Sequence, residues 1–260
     1  MEKIIMYENF DEFYNDTYNN FYNAYEHKNL ISSNPIPYKI DESLKMEALY
    51  SNGLVIFKNS SINTAEEIKL LVTDIYHELT HYYDESVFKH FGYSKEDISV
   101  LMLTYSEIHA AYNAMFAFFD IKTLSVKKRI DLNKKTFKNH TMTEHIAFQI
   151  ATETQSMNNV LGFKNAMYLL GEKRALLKIA TDTLSINRAY NFKRIPDFMR
   201  DEIINIDRLV NLASYDNISV EQINNSKLKI DIELRRISIK NIPIPDIEGM
   251  EDIKRIIDSL

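Results

Sequence analysis

The 260-residue chain contains no cysteine. Disulfides and thiolate metal sites are therefore impossible, and any bound metal must be held by histidine, aspartate or glutamate. Glycine and proline number only five each, so turns are few and long helices are expected. No stretch approaches the ~18 consecutive apolar residues of a membrane span. The opening segment, Met1 to Glu12, is interrupted at once by acidic residues and lacks the apolar core of a signal peptide. A cytoplasmic protein with no membrane partner is expected. An excess of positive charge is missing too. The 31 basic side chains are outnumbered by 37 acidic ones, for a net charge of −6, and this balance argues against nucleic acid as a partner. Oligomeric state has no signature in the sequence.

What is present is ordinary for a globular protein: 45% hydrophobic and 26% charged residues. The length suffices for one large domain or two modest ones with a hydrophobic core. Phe10, Phe13, Tyr14, Tyr18, Phe21 and Tyr25 recur at spacings of three and four, which predicts an amphipathic helix packing an aromatic stripe on the core. Residues 30–40, with Pro35 and Pro37, read as a connector. Ser51-Asn52-Gly53 is a turn signal before the apolar run Leu54 to Phe57, which predicts a small hairpin or sheet edge. Thr64 is placed to cap a helix in which Ile68, Leu71, Val72, Ile75 and Leu79 keep helical period to about Val87. Gly92 breaks the chain, and Lys95 to Phe119 read as one further helix.

Beyond residue 121 the pattern is mostly helical. Thr141 with Glu144 predicts a capping box opening a helix to about Gln155. Residues 163–180 and 197–213 are helical in pattern. Lys227 to Ile239 are ambiguous, because Leu228, Ile230, Ile232 and Leu234 alternate as in a strand. Gly162 and Gly171 mark helix ends or close packing. The fold class expected is mainly α (α+β). A module over residues 1–120 carries a small N-terminal sheet. A helical region over 121–260, of unknown role, is separate from it or continuous with it.

Residues 77–81 read His-Glu-Leu-Thr-His. On a helix, positions i and i+4 share a face, so His77 and His81 can direct both imidazoles at one point. Two neutral imidazoles suit Zn²⁺. Glu78 is rotated about 100° around the axis. It flanks the metal without filling a ligand position, as a general base acting on zinc-activated water should. A catalytic zinc takes three protein ligands and a water. The downstream candidates for the third are Asp84, Glu85, His90, Glu96, Asp97, Glu107 and His109. Asp84 reads as a supporting residue one turn from His81. Glu107 is the choice, because Ala110, Ala111 and Ala114 share its helix face and let that helix come close to the motif helix. His109 points about two-thirds of a turn away from Glu107.

The run Gly53-Leu-Val-Ile-Phe57, the motif His77-Glu-Leu-Thr-His81 and the segment from Glu107 to Ala117 together resemble the zincin metallopeptidases of the gluzincin type, and most of all the small ImmA/IrrE-like group. The resemblance covers about residues 48–120. It implies an edge strand, an active-site helix and a following glutamate-bearing helix. His77 and His81 match the first two zinc ligands, Glu78 the base and Glu107 the third ligand. It departs from the pattern at Thr80, where a glycine is common, and at Ala111, where larger gluzincins place an aspartate. It implies hydrolysis of peptide bonds in a protein or peptide substrate. Under that reading Leu54 to Phe57 would hold an extended peptide by backbone hydrogen bonds. Tyr82, Tyr83, Tyr105 and Tyr112 are the nearby candidates to steady an oxyanion.

The competing reading is a non-catalytic zinc-binding regulatory or interaction module. Lys127, Lys128, Arg129, Lys134, Lys135 and Lys138 read as a solvated basic face. Glu144 and His145, with His140 nearby, are adjacent in sequence and do not share a helix face as a second metal site would require.

Overall fold

The structure is a computed structural model that describes residues 7–24, 28–118, 135–137, 140–141, the positions 164, 167, 168, 170–172, 174, 175 and 178, and residues 197–240. The fold is mainly helical, with a small three-stranded sheet on its N-terminal side. Helix α1 spans Phe10–Ala24, and the Asn9 side chain accepts the Glu12 N–H at 2.9 Å as its N-cap. Its aromatic stripe is core. Phe13, Tyr14, Tyr18 and Phe21 are buried, and Phe10 and Tyr14 set their rings against Phe57 at 5.4 and 5.9 Å.

Strands β2 (Ala48–Ser51) and β3 (Leu54–Phe57) form the expected hairpin. Asn52 and Gly53 both take positive φ, 50° and 79°, which a two-residue turn of this kind requires. The connector holds an element the sequence reading missed. β1 (Tyr38–Ile40) pairs with β3 in parallel. The sheet order is therefore β1-β3-β2. This corrects the expectation that Leu54 to Phe57 offers an open edge. Val55 donates to the Pro37 carbonyl at 3.1 Å and Phe57 accepts from Asp41 N–H at 2.8 Å, so β3 is central, and β2 is the edge nearest the motif helix.

Helix α2 runs Ala65–His90 and opens on a complete capping box. Thr64 accepts the Glu67 N–H, and the Glu67 carboxylate accepts the Thr64 N–H. It closes at Gly92, where Gly92 N–H bonds Lys89 O and Tyr93 N–H bonds Phe88 O, with Gly92 at φ 79°. Leu71, Ile75 and Leu79 join the α1 aromatics, Val55 and Phe57 in one apolar cluster.

The next helical run is not uniform. It divides into α3 (Lys95–Leu101), a π turn (Met102–Ser106) and α4 (Glu107–Phe118). The run lies antiparallel on α2. Thr80 meets Asn113, Asp84 meets His109 and Phe88 meets Tyr105, so the partner falls by four as the α2 number rises by four.

Lys135–Phe137 (β4) and His140–Thr141 (β5) form an antiparallel pair. Thr141 thus ends a strand, and the helix expected beyond it lies outside the described residues, as do Lys127, Lys128, Arg129, Lys134, Lys138, Glu144, His145 and Gly162. Helices α5 (Asp197–Leu212) and α6 (Val220–Lys240) complete the described chain. The alternation over Lys227 to Ile239 is helical. Residues two apart on a helix lie about 200° apart, so Ile230 is fully buried while Leu228 and Ile232 are exposed. A second apolar cluster joins Phe88, Leu101 and Ile108 to Met167, Leu170, Ile203, Ile206, Val210, Ile218, Ile223 and Ile230. Residues on both sides of position 121 therefore share one core. No helix among the described residues is long and apolar enough to cross a membrane.

Candidate metal centre

The facing sides of α2 and α4 carry a ladder of polar groups inside otherwise apolar packing. At its centre His77, His81 and Glu107 bring one ligand atom each within 4.8 Å of one another. His77 Nε2 and His81 Nε2 stand 3.1 Å apart. The Glu107 carboxylate reaches His77 Nε2 at 3.5 Å and His81 Nε2 at 3.7 Å. A tetrahedral zinc with bonds of 2.0–2.1 Å has ligand atoms about 3.3–3.4 Å apart, and the three observed separations bracket that value. Two imidazoles and one carboxylate are a donor set that could hold a divalent metal ion, with a further position left for water. The residues present fit a metal ion of this kind.

Burial makes the arrangement expensive without a cation. The Glu107 side chain is 3% exposed, and an ionised carboxylate in such a place needs charge compensation. Lys164 Nζ approaches Glu107 Oε2 at 3.4 Å, though the lysine itself is half-exposed. Burial, together with the charges of His77 and Lys164, holds His81 well below its ordinary pKa. Burial also acts to lower His77, but the hydrogen bond to Glu107 and the charges of Glu78 and Glu107 outweigh it and raise His77. A metal ion would compete with that proton.

Glu78 stands beside the three ligand groups and is not one of them. Its Oε2 accepts the backbone N–H of Tyr50, on β2, at 2.6 Å. Burial raises its pKa, against the opposing pull of His77 and the Tyr50 bond. The sheet thus fixes one carboxylate oxygen of Glu78. Thr80, the departure from glycine, is fully buried. Its hydroxyl bonds the Tyr76 carbonyl at 2.7 Å and accepts from Asn113 at 3.2 Å, tying α2 to α4.

The other sequence candidates go elsewhere. Asp84 is fully buried, but it serves His109 at 2.9 Å and the Tyr215 hydroxyl at 2.6 Å rather than a ligand imidazole. Glu85 accepts from the Tyr50 hydroxyl and pairs with Lys89 at 2.7 Å. His90 sets its ring on Phe91, and Glu96, exposed, and Asp97, half-buried, lie in the first turn of α3. Of the alanines, Ala110, Ala111 and Ala114 are all buried. Ala111 meets Gly171, so the small stripe serves a second helix as well as α2. The four candidate tyrosines make other contacts. Tyr82 accepts the Ser32 N–H, Tyr83 and Tyr105 pack on Tyr215, and Tyr112 stacks on Phe116.

Sequence reasoning missed the wall that faces His77. Lys164, Tyr168 and Glu172 lie four residues apart, at helical positions, and share a face. The Tyr168 ring stands 5.5 Å from the His77 ring. Its phenol is raised by burial and by the charges of Glu172, Asp74 and Glu107. Burial pushes Glu172 up to about 7, and Asp74, three residues before His77, likewise to about 7 with Glu78 adding to it. The four-residue spacing was a readable signal, but nothing in it named the partner surface.

No protein-family model, curated protein or solved structure matches this chain.

Proposed function

We propose that the chain is a zinc-dependent peptidase of the gluzincin type, similar to the ImmA/IrrE-like group, acting on a protein or peptide. The observation that carries this reading is the convergence of His77, His81 and Glu107 at tetrahedral spacing, with Glu78 held beside them by a strand. His77 and His81 through Nε2 and Glu107 through its carboxylate are the groups to hold zinc. Zinc so held supplies a Lewis acid that brings the pKa of water from 15.7 towards about 7.

The chain's own groups divide the remaining work. Glu78, oriented through its Tyr50 bond, accepts the proton of the attacking water and returns it to the leaving amine. Burial raises its basicity for that task. Strand β2 has its outer edge toward α2 and takes the part first expected of β3. An extended peptide added there would lie across Glu78, using the Ala48 main chain and the Tyr50 carbonyl, while the Tyr50 N–H stays with Glu78. Lys164, 3.4 Å from Glu107, and Tyr168, whose ring stands 5.5 Å from that of His77, lie on the opposite wall and are assigned to the oxygen on which charge grows.

The test is paired. Purified protein is expected to hold close to one zinc and to cleave members of a peptide library, and Glu78→Gln is expected to keep the zinc and lose turnover. Undiminished turnover in Glu78→Gln would falsify the base assignment. Zinc binding without hydrolysis in the wild type would favour the non-catalytic binding module.

A further inference from the structure

The helix that supplies Glu107 contains its one irregularity immediately before that residue. Met102–Ser106 form a π turn between two α-helical stretches. Such a turn inserts one extra residue and rotates everything downstream by about 100° relative to an unbroken α-helix. Upstream of it, Leu101 is anchored in the second core, with Ile98 and Met102 packed against it. Downstream, Asn113 and His109 are held by Thr80 and Asp84 on α2. The extra residue reconciles these two anchored stretches, and Thr104 Oγ1 bonds the Val100 carbonyl at 2.8 Å within the irregular turn.

The rotation delivers two consecutive side chains to the same site. Glu107 reaches the imidazoles. Ser106, fully buried, places its Oγ 2.8 Å from His81 Nδ1. That nitrogen is the one His81 does not turn toward His77 and Glu107. The two imidazoles are not equivalent in this respect: His77 Nδ1 is buried with no hydrogen-bond partner among the described residues. Ser106 is thus the one side chain seen to grip the outer nitrogen of a ligand imidazole.

We propose that Ser106 is a positioning residue, and that the π turn exists to present it together with Glu107. The Ser106 oxygen accepts the His81 Nδ1 proton, which fixes the tautomer with a lone pair on Nε2 and locks the ring toward the metal position. This inference rests on the metal-centre reading above. A serine hydroxyl is the required chemistry: an alanine there leaves a buried N–H unpaired and the ring free to change tautomer.

Two readouts test it. Zinc affinity, measured by chelator competition on the full chain, is expected to fall about 10- to 100-fold in Ser106→Ala and to recover substantially in Ser106→Thr. The ¹⁵N spectrum of the zinc-free protein is expected to show His81 protonated at Nδ1 in the wild type and as a tautomer mixture in Ser106→Ala. Melting temperature identifies any variant that simply unfolds. Equal zinc affinity in wild type and Ser106→Ala, or the same His81 tautomer in both, overturns the proposal while leaving the metal centre intact. A wild type that binds no zinc defeats the metal reading itself, and the tautomer comparison then still decides the role of Ser106.

Discussion

Gly171→Ala sets two physical effects against each other. Alanine in a helix interior is favoured over glycine by about 0.8–1.0 kcal/mol, so propensity alone predicts a more stable protein. The structure predicts the reverse. A Cβ built at Gly171 would lie 2.1 Å from the Ile108 carbonyl oxygen, 3.0 Å from its carbonyl carbon and 2.7 Å from Ala111 Cβ. The first two obstacles are α4 backbone and the third has no rotamer to change. The two helices would have to separate by roughly 1 Å, and overpacking of this kind costs about 1–3 kcal/mol or more. With the lost contacts between Met167, Leu170 and Ile108, the net expectation is a loss of about 2 kcal/mol or more despite the propensity gain. In a chain of this size that is a melting temperature lower by roughly 4–8 °C. Thermal unfolding by circular dichroism reads it directly, and hydrogen exchange over residues 164–178 should rise locally. His77, His81 and Glu107 sit on α2 and α4, so zinc binding should survive while hydrolysis falls as Tyr168 and Lys164 withdraw. A variant that melts at or above the wild-type temperature refutes the packing argument.

Two further expectations concern the surroundings of the site. Asp74 and Glu172 are both pushed up to about 7 in the folded chain, chiefly by burial, from unfolded values near ~3.9 and ~4.3. The folded state therefore holds their protons more tightly than the unfolded one. Their contribution to stability is complete below about pH 4 and is lost as pH rises through 7, at no more than about 1.4 kcal/mol per pH unit for each group. The zinc-free protein should melt higher at pH 5.5 than at pH 8, and Asp74→Asn with Glu172→Gln should flatten that profile; a melting point rising with pH would contradict it. Tyr215→Phe removes the 2.6 Å bond to the fully buried Asp84, and denaturant unfolding should show a loss of about 1–3 kcal/mol.

The centre of the site was legible because its geometry is local. Two histidines one turn apart carry their own spatial relation, and Glu107 could be chosen from the alanines on its face. The same reasoning recovered α1 from its aromatic spacing and α2 from Thr64 and the apolar period of Ile68 to Leu79. What failed to show was non-local or had no residue signature. Met-Leu-Thr-Tyr-Ser has nothing that announces a π turn, since the irregularity arises from two packed stretches that an unbroken helix would leave out of register. Tyr38–Ile40 became a strand only because β3 had an open side. Tyr215 finds Asp84 across 131 positions in the chain, and Tyr168 stands against a histidine far from it in sequence. The alternation over Leu228 to Leu234 imitated a strand because two steps of a helix also cross from one side to the other.

The central claim is that one divalent ion is gripped by α2 and α4 together. An anomalous difference map collected at the zinc absorption edge, from crystals of the full chain grown with zinc, tests it most directly. The account predicts one strong peak about 2.0–2.1 Å from Nε2 of His77 and of His81 and at bonding distance from the Glu107 carboxylate. A map with no peak there, or with the ion held by other side chains, contradicts it.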